Sequence, residues 1–520
     1  MSAAARERHK IQARSVLGPG PALALIGLTA LLGARLVPDV AGKPLHEDEA
    51  VAGLISARPL GDMLHTVVLD RGGAPLHFVL AHFALAIDTT PETLRWVSVA
   101  FALATVPLCY DLARRIAGRS EGLIAAALAA TSQLLLIYGT FGRMYSLFAF
   151  ASALAADLFV RAIERPQRRP ALAAAVTALL PLAVHPFGAF LFAAETAVAL
   201  FVWRGHALRA ALPVSAVAVL AAPLLLADLR LSERYGPEVG RNLHSGTSSA
   251  GATLQALGGA AGGRGATLIL FTALAAAGLL TLARRRPAVA AFAVCTLAIP
   301  SPALAIASAT GLFSERLAPR HLILMLPLWI TLVATGATRL SALLPLKLRT
   351  VAVAGIVAAA AVAPSSVSEP RTMPTGAERA VAAPAAWLTK ELAPHDVLYP
   401  YSPVFLAALP VARKARAYSR EPIALARAVE RTGAAPAVFI SIPLQEPVNV
   451  DGLRRAGVRF HAFPSWLILE APGPFGNGTA ALESAVNVLR RAAPLVSDTG
   501  AHAYLEQIRV TACLALGRSC

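Results

Sequence analysis

Runs of apolar residues long enough to cross a lipid bilayer recur along the first two thirds of the chain, and they constrain the fold more than any other feature. Charged residues make up only 15% of the 520 residues, whereas soluble domains carry about 25%. A hydrocarbon core about 30 Å thick needs roughly 20 apolar residues per helix. On that criterion we expect about twelve membrane-spanning helices, over residues 17–37, 74–88, 94–112, 122–138, 144–162, 171–184, 186–203, 210–227, 266–283, 288–309, 317–337 and 350–364.

The formal net charge of +17 raises the alternative of a nucleic-acid-binding protein. Such a protein gathers Lys and Arg on one soluble face, with aromatic side chains between them. Here the basic residues form short clusters between the apolar runs, a distribution that the positive-inside rule explains better. We therefore expect the lipid bilayer, and no nucleic acid, as a partner.

The basic clusters fall in alternate loops, which predicts that the N-terminus is cytoplasmic. The loops expected on the cytoplasmic side, after an N-terminal tail that is also basic, contain Arg114, Arg115 and Arg119; Arg161, Arg165, Arg168 and Arg169; Arg204 and Arg209; Arg284, Arg285 and Arg286; and Arg339, Lys347 and Arg349. The first apolar run lacks a small-residue cleavage pattern and is interpreted as a signal anchor. A multi-pass protein of the plasma (inner) membrane is expected.

These patterns predict an all-α polytopic membrane bundle followed by a small C-terminal extracytoplasmic α/β domain. A cytoplasmic tail over residues 1–16 precedes the membrane domain over 17–364. The outer loops of that domain are expected at 38–73 and 228–265. A linker and the α/β domain occupy 365–520.

Shorter patterns predict the elements outside the membrane. Apolar residues recur at helical spacing on both sides of Pro59, which predicts two amphipathic helices on the outer membrane surface. In the tail, DVLYPYS and PAVFISIP are predicted strands, and RFHAFPSWLILEA is a predicted strand pair with a turn at Pro464. The predicted tail helices are PAAWLTKELA, IALARAVERTG and LESAVNVLRRA.

The four cysteines form no CxxC pair. Cys109 and Cys295 lie in apolar runs and are expected to behave as small core residues. Cys513 and Cys520 lie in the tail. If that tail is outside the cytoplasm, a disulfide between them and two free thiols are the two alternatives.

The densest acidic cluster lies in KPLHEDEAVAG, directly after the first apolar run. One interpretation is helix capping, because Asp and Glu favour helix N-termini. The other is a carboxylate at the outer water boundary that accepts a proton or binds a cation. His46, Glu47, Asp48 and Glu49 cannot all point one way on a helix, so they do not form a four-ligand metal site by themselves.

Arg143, Arg316 and Arg320 are the basic residues that break the orientation rule. Each is explained either by a structural ion pair or by a phosphate, which Arg binds through bidentate hydrogen bonds. His185 lies in the tight outer connection LAVHPFG, and His77 lies in the second apolar run. A lone histidine of this kind is more often hydrogen-bonded structure than a ligand.

Five further stretches occur in a characteristic order over about 40–330: HEDEA, LDRGGAPLHFVL, LRWVSVAFALATVPLCYDLARRIAGRSEGLIAAAL, YGTFGRMYSL and APRHLILMLP. This order resembles the polytopic glycosyltransferases of the C-type fold that use polyprenyl-phosphate sugars. Protein O-mannosyltransferases and the lipid A aminoarabinose transferase belong to that superfamily, and the similarity is greatest to its bacterial family 39 branch. The sequence departs from the family pattern at Ala74, Gly142 and His321.

The resemblance implies an enzyme that moves a mannose- or arabinose-like sugar from a polyprenyl-phosphate donor, with inversion. The implied acceptor is an envelope glycan, lipid or protein on the outer face of the membrane. Such a reaction needs a base for the acceptor hydroxyl, and Asp48 is the candidate. Glu49 or Asp70 is the candidate for orienting the acceptor or a metal. Some members use a divalent metal such as Mg²⁺ or Mn²⁺ and others do not, so the resemblance leaves the metal open.

The departing phosphate needs positive charge. Arg143 and Arg320 are the candidates to supply it, with Arg316 as a substitute. Hydrogen bonds to the sugar or the phosphate are expected from Tyr145, His185 and His321.

Two other classes of protein stay open. A lipid or solute transporter, or a flippase, is favoured by Glu195, because a carboxylate within an apolar run is costly and usually functional or paired. A catalytically inactive envelope scaffold is favoured by the departures from the family pattern at three positions.

Overall fold

The computed structural model divides the chain into two compact units, which are described separately. The membrane unit covers Met1–Ala41 and Ile55–Pro370, and the C-terminal unit covers Gly42–Leu54 and Arg371–Cys520. The residues that the structure describes are 18–41, 46–70, 73–88, 90, 92–164, 168–202, 219–227, 248–309, 318–367, 380–393, 396–398, 437–446 and 448–517.

Helices make up most of the described residues before 368. A π-helical segment covers Thr66–Asp70, and 3₁₀ segments cover Val37–Asp39 and Pro319–Met325. The α-helices are α1 (Pro19–Leu36), α2 (Glu47–Ser56), α3 (Leu60–His65), α4 (Leu76–Ile87), α5 (Glu92–Ile116), α6 (Arg119–Ala130), α7 (Gln133–Tyr138), α8 (Tyr145–Glu164), α9 (Arg168–Val184), α10 (Gly188–Val202), α11 (Ser249–Ala260), α12 (Ala266–Arg285), α13 (Pro287–Ala298), α14 (Pro300–Ala309), α15 (Leu326–Ser341) and α16 (Leu346–Val362). Helices are thus present on both sides of Pro59, as predicted.

Among the described residues, six helical segments are long and apolar enough to cross a membrane, and they identify an integral membrane protein. They are Pro19–Asp39, Glu92–Ile116, Tyr145–Glu164, Ala266–Arg285, Pro287–Ile306 and Pro319–Ser341. The predicted count of about twelve is not confirmed. The predicted runs 74–88, 171–184 and 186–203 form apolar helices of fewer than 18 residues, which are Leu76–Ile87, Arg169–Val184 and Gly188–Val202. Another short apolar helix, Leu60–Leu69, lies where the sequence predicted an amphipathic surface helix.

Helices α12 and α15 approach each other closely at two glycines. A Cβ atom at Gly278 would lie 2.1 Å from the carbonyl oxygen of Leu332, and one at Gly336 would lie 1.8 Å from that of Leu274. Small residues allow apolar helices to pack backbone against backbone, which increases their van der Waals contact. The contact joins α12 to α15, which is part of the most buried of the six candidate spans.

We expect Gly336→Ala to lower the stability of the membrane unit, because the new methyl group forces α12 and α15 apart. Overpacking of this kind costs about 1–3 kcal/mol. Thermal unfolding in detergent measures the effect. Gly27→Ala on α1 is the matched control, since nothing lies within 4 Å of its Cβ position. Equal melting temperatures for the two variants would contradict the close packing.

Three of the basic loops that the sequence assigned to one side meet in an ion-pair network. Asp157 on α8 lies 2.9 Å from Arg115 on α5 and 2.5 Å from Arg161. Asp111 lies 2.9 Å from Arg115 and 2.7 Å from Arg161. Arg286, from the basic loop at residues 284–286, donates to the carbonyl oxygen of Arg115 at 3.0 Å. The network joins the C-terminal ends of α5 and α8 to the start of α13.

The C-terminal unit contains a four-stranded sheet in the order β1-β2-β4-β3. β1 (Val397–Leu398) is parallel to β2 (Val438–Pro443), whereas β3 (Arg459–Phe463) and β4 (Trp466–Ala471) are antiparallel to their neighbours. The described helices of this unit after residue 379 are α17 (Ala382–Glu391), α18 (Val450–Arg455), α19 (Gly478–Ala492) and α20 (Thr499–Ala515).

Alternating side chains bury both faces of this sheet. Val438 and Ile440 belong to one hydrophobic cluster, which includes residues of α19 and α20. Phe439 and Ile468 belong to a second cluster, to which α17 contributes Leu388. The predicted small α/β fold is confirmed, including the strand pair around Pro464.

Other predictions in the tail have mixed outcomes. The sequence analysis did not predict α20, and the predicted helix IALARAVERTG lies outside the described residues. Cys513 is buried and disulfide-bonded, whereas Cys109 and Cys295 are free. The alternative pairing with Cys520 also lies outside the described residues.

Candidate functional site

The short turn between α7 and α8 carries Arg143. The hydroxyl oxygen of Ser98 on α5 lies 2.7 Å from the carbonyl oxygen of Phe141 and 3.3 Å from that of Arg143. The hydroxyl of Ser146 donates to the carbonyl oxygen of Tyr138 at 2.7 Å. These contacts satisfy carbonyl groups that a helix end leaves without an intrahelical partner, and they hold the turn against α5.

His185 lies in the turn between α9 and α10 and is buried. Its Nδ1 accepts a hydrogen bond from the backbone N–H of Phe187 at 3.1 Å, so the neutral ring carries its proton on Nε2. Burial lowers the pKa of His185 to about 3, and the positive charges of Arg320 and Arg143 act in the same direction. His185 is therefore neutral at pH 7, with an N–H group available to donate.

Arg320 and the buried His321 lie in the 3₁₀ segment that leads into α15. The Nε of Arg320 lies 3.3 Å from the Nε2 of His321, and the backbone nitrogen of Ala318 lies 3.4 Å from its Nδ1. A neutral imidazole accepts at one nitrogen only, so just one of these contacts is a hydrogen bond. The guanidinium carbon of Arg320 lies 5.7 Å from the centre of the Tyr145 ring, within the range of a cation–π interaction.

Tyr145, the first residue of α8, lies at the centre of these segments and is 3% exposed. Its ring centre is 6.2 Å from that of His185 and 6.4 Å from that of His321, and the two histidine rings are 5.5 Å apart. The charges of Arg143 and Arg320 both act on His185. Five predicted site residues thus lie together within the membrane unit; we call Arg143, Tyr145, His185, Arg320 and His321 the Arg–His cluster.

Aromatic side chains surround the two histidines of the cluster. Phe148 stacks on His185 with ring centres 5.1 Å apart, and Phe187 packs edge-on against His321 at 5.3 Å. Apolar neighbours lower the local dielectric, which strengthens the interaction of the arginine charges with an anion. The arrangement is chemically suited to binding a phosphate whose substituent is apolar.

His77 is a neighbour of the cluster that the sequence analysis interpreted as structural. It is fully buried at the start of α4, and the charge of Arg143 acts on it. Its Nε2 has no hydrogen-bond partner among the described residues. The signal in the sequence was its position in the LDRGGAPLHFVL stretch.

The acidic candidates lie on α2, whose residues up to Leu54 belong to the C-terminal unit. The backbone N–H of His46 donates to Oε2 of Glu49 at 3.0 Å, and the N–H of Asp48 donates to Nδ1 of His46 at 3.0 Å. The two bonds form a variant of the capping box with histidine at the N-cap position, in which the imidazole accepts from the second rather than the third helical N–H. Glu49 is 2% exposed, so the helix-capping interpretation applies to Glu49, and Asp48 stays the candidate base.

Two predicted site residues have no described side chain. Asp70 ends the π-helical segment after α3, but only its backbone is described, and Arg316 lies outside the described residues. Within the described part of the chain, no group of three or more His, Cys, Asp or Glu side chains could hold a metal ion.

Solved structures share this fold. ArnT from Cupriavidus metallidurans in the apo state superposes with a TM-score of 0.56 at 12% identity, covering 86% of this chain and 97% of ArnT. ArnT bound to undecaprenyl phosphate superposes with a TM-score of 0.56 at 11% identity, covering 87% and 98%. The apo oligosaccharyltransferase of Archaeoglobus fulgidus reaches 0.50 at 12% identity, covering 82% and 70%.

No family model matches the sequence, and no curated protein matches it significantly. The expected C-type glycosyltransferase fold is nevertheless confirmed by the structural similarity to ArnT over nearly the whole length of both chains.

We expect the stability of the membrane unit to fall as the pH drops below the ordinary histidine value of about 6.5 towards 3, because unfolding allows His185 to take up a proton that the folded state excludes. His185→Asn keeps an acceptor for the Phe187 N–H and removes the titration. That variant should show a shallower loss of melting temperature between these pH values than the wild type. His65→Asn, at an exposed position on α3, is the control. Identical pH profiles for wild type and His185→Asn would contradict the buried neutral histidine.

Proposed function

We propose that this chain is a membrane glycosyltransferase that uses a polyprenyl-phosphate sugar as donor. The Arg–His cluster is the observation that carries the proposal. Two arginines, a neutral histidine N–H and a tyrosine converge at the ends of apolar helices, where a phosphate with a lipid tail would find both charge and hydrocarbon. The shared fold with ArnT, which has been solved with undecaprenyl phosphate bound, supports the same substrate class.

In the proposed reaction the acceptor hydroxyl attacks the anomeric carbon of the sugar. The hydroxyl proton passes to the carboxylate of Asp48, and the bond between the anomeric carbon and the phosphate oxygen breaks. Polyprenyl phosphate leaves with the bonding electron pair. Arg143 and Arg320 stabilise the negative charge on the leaving group, and Tyr145 and His185 donate hydrogen bonds to it.

The proposed sugar and acceptor are taken from the family resemblance. The proposed sugar is mannose- or arabinose-like, and the proposed acceptor is an envelope glycan, lipid or protein. The orientation follows from the positive-inside rule: the Asp–Arg network at the C-terminal ends of α5 and α8 would face the cytoplasm. The Arg–His cluster lies at the N-terminal end of α8, so the reaction would take place on the outer face of the inner membrane.

We expect Asp48→Asn to lower sugar transfer by a factor of about 10²–10⁴, the usual contribution of a general base. Release of labelled sugar from a polyprenyl-phosphate donor by purified protein measures the rate. Asp62→Asn, at an exposed position on α3, is the matched control and should retain full activity. Turnover by Asp48→Asn at the wild-type rate would remove Asp48 from the role of base.

We expect Arg320→Ala to weaken binding of undecaprenyl phosphate by about tenfold to a hundredfold, because a hydrogen bond to a charged group contributes about 1.5–3 kcal/mol. Binding is measured on nanodisc-embedded protein with labelled lipid. Arg264→Ala removes an exposed arginine at the start of α12 and should leave the affinity unchanged. If the affinity of Arg320→Ala equals that of the wild type, Arg320 has a structural role only.

A transporter is the second candidate, and Glu195 is the observation that favours it. This carboxyl group is buried within α10, and its Oε1 has no hydrogen-bond partner among the described residues. A buried carboxyl in an apolar helix is a common feature of proton-coupled transport. Proton-dependent lipid or solute flux in liposomes, lost in Glu195→Gln and without sugar transfer, would favour this candidate.

A further inference from the structure

Helix α2 is short and carries the candidate base near its start. Its first turn is fixed by the capping box of His46 and Glu49. Ala50 and Ala52 are fully buried in the next turn. Although the first outer loop is continuous in sequence with the membrane unit, the residues up to Leu54 fold with the C-terminal unit.

Leu54, in the last turn of α2, packs against a hydrophobic cluster on one face of the C-terminal sheet. We call this the α17-face cluster. Its buried members come from α17, β1, β2 and β4, and they are Ala385, Leu388, Leu398, Phe439, Trp466 and Ile468. Trp387 and Phe463 are further partly buried residues that pack against the same cluster.

Aromatic side chains contact one another on this face. Trp387 stacks on His461 with ring centres 4.6 Å apart and an interplanar angle of 19°. His461 lies 4.7 Å from Phe463, whose ring is also 6.3 Å from that of Trp387. Leu54 therefore packs against a platform that these aromatic contacts hold together.

We propose that the C-terminal α/β unit positions the acid-bearing helix, with Leu54 as the positioning residue through which it acts on Asp48. Leu54 follows Asp48 by six residues, or about 9 Å along the helix axis. The capping box fixes the start of α2, and the α17-face cluster contacts its last turn at Leu54. The direction in which Asp48 projects is thereby set by the fold of the C-terminal unit.

This inference rests on the proposed function, in which Asp48 is the base. A base has to meet its proton within hydrogen-bond distance, and a displacement of about 1 Å can cost a factor of about 10² in rate. Loss of the Leu54 contact should therefore lower kcat. Donor binding, which is assigned to the Arg–His cluster of the membrane unit, should be unaffected.

The test compares Leu54→Ala with the volume-conserving Leu54→Met in the full-length protein. Hydrogen exchange of the backbone amides of residues 47–54 is measured by mass spectrometry, together with kcat and the affinity for undecaprenyl phosphate. We expect Leu54→Ala to raise exchange in this segment at least tenfold and to lower kcat at least tenfold, with unchanged lipid affinity and melting temperature. Leu54→Met should restore both values, and Leu60→Ala at an exposed position on α3 is the control.

Phe463→Leu provides a second variant, distant in sequence, that loosens the platform without touching α2. It should raise exchange in residues 47–54 as well. Unchanged exchange in both variants would overturn the proposal, as would raised exchange with an unaltered kcat. If the wild-type protein transfers no sugar, the proposed function fails, and the exchange data alone then decide whether the C-terminal unit holds α2.

Discussion

Polar groups within an apolar helix bundle have to be satisfied by the protein itself, because hydrocarbon offers them no hydrogen bonds. In the membrane unit, two groups of charged side chains lie at the ends of helices. At the C-terminal ends of α5 and α8, Asp111 and Asp157 form ion pairs with Arg115 and Arg161. At the N-terminal end of α8, aromatic rings and two neutral histidines surround Arg143 and Arg320. The first end is held by ion pairs within the chain, and the second is chemically suited to an anionic ligand.

The positive charge and the base that the proposed sugar transfer needs come from different parts of the chain. Positive charge comes from turns that α5, α8 and α15 hold in place, with Ser98 bonded to the turn that carries Arg143. The candidate base comes from a helix that folds with the C-terminal sheet. Glu49, the neighbour of the base, is used for helix capping. One acidic cluster in the sequence therefore contains a structural carboxylate, Glu49, next to the candidate base, Asp48.

Arginines that violate the positive-inside rule were the most informative signal in the sequence, since Arg143 and Arg320 lie in one cluster with Tyr145 and His185. The tail strands were predictable as short apolar runs, whereas α20 was not predicted, although Ala501, Leu505, Ile508 and Ala512 recur at helical spacing. The turn at His185 was predictable, but the helix count was not, because apolar composition alone does not show which apolar runs form helices long enough to cross a membrane. Neither the location of His77 beside Arg143 nor the packing of Leu54 on α17 was predictable, since both depend on contacts between segments far apart in sequence.

The claim that the Arg–His cluster binds the donor phosphate is tested most directly by a cryo-electron microscopy structure of the protein with undecaprenyl phosphate in nanodiscs. The account predicts phosphate density in contact with the guanidinium group of Arg143 or Arg320, and within about 3 Å of the Nε2 of His185. Phosphate density at another place on the protein, with no contact to either arginine, would contradict it.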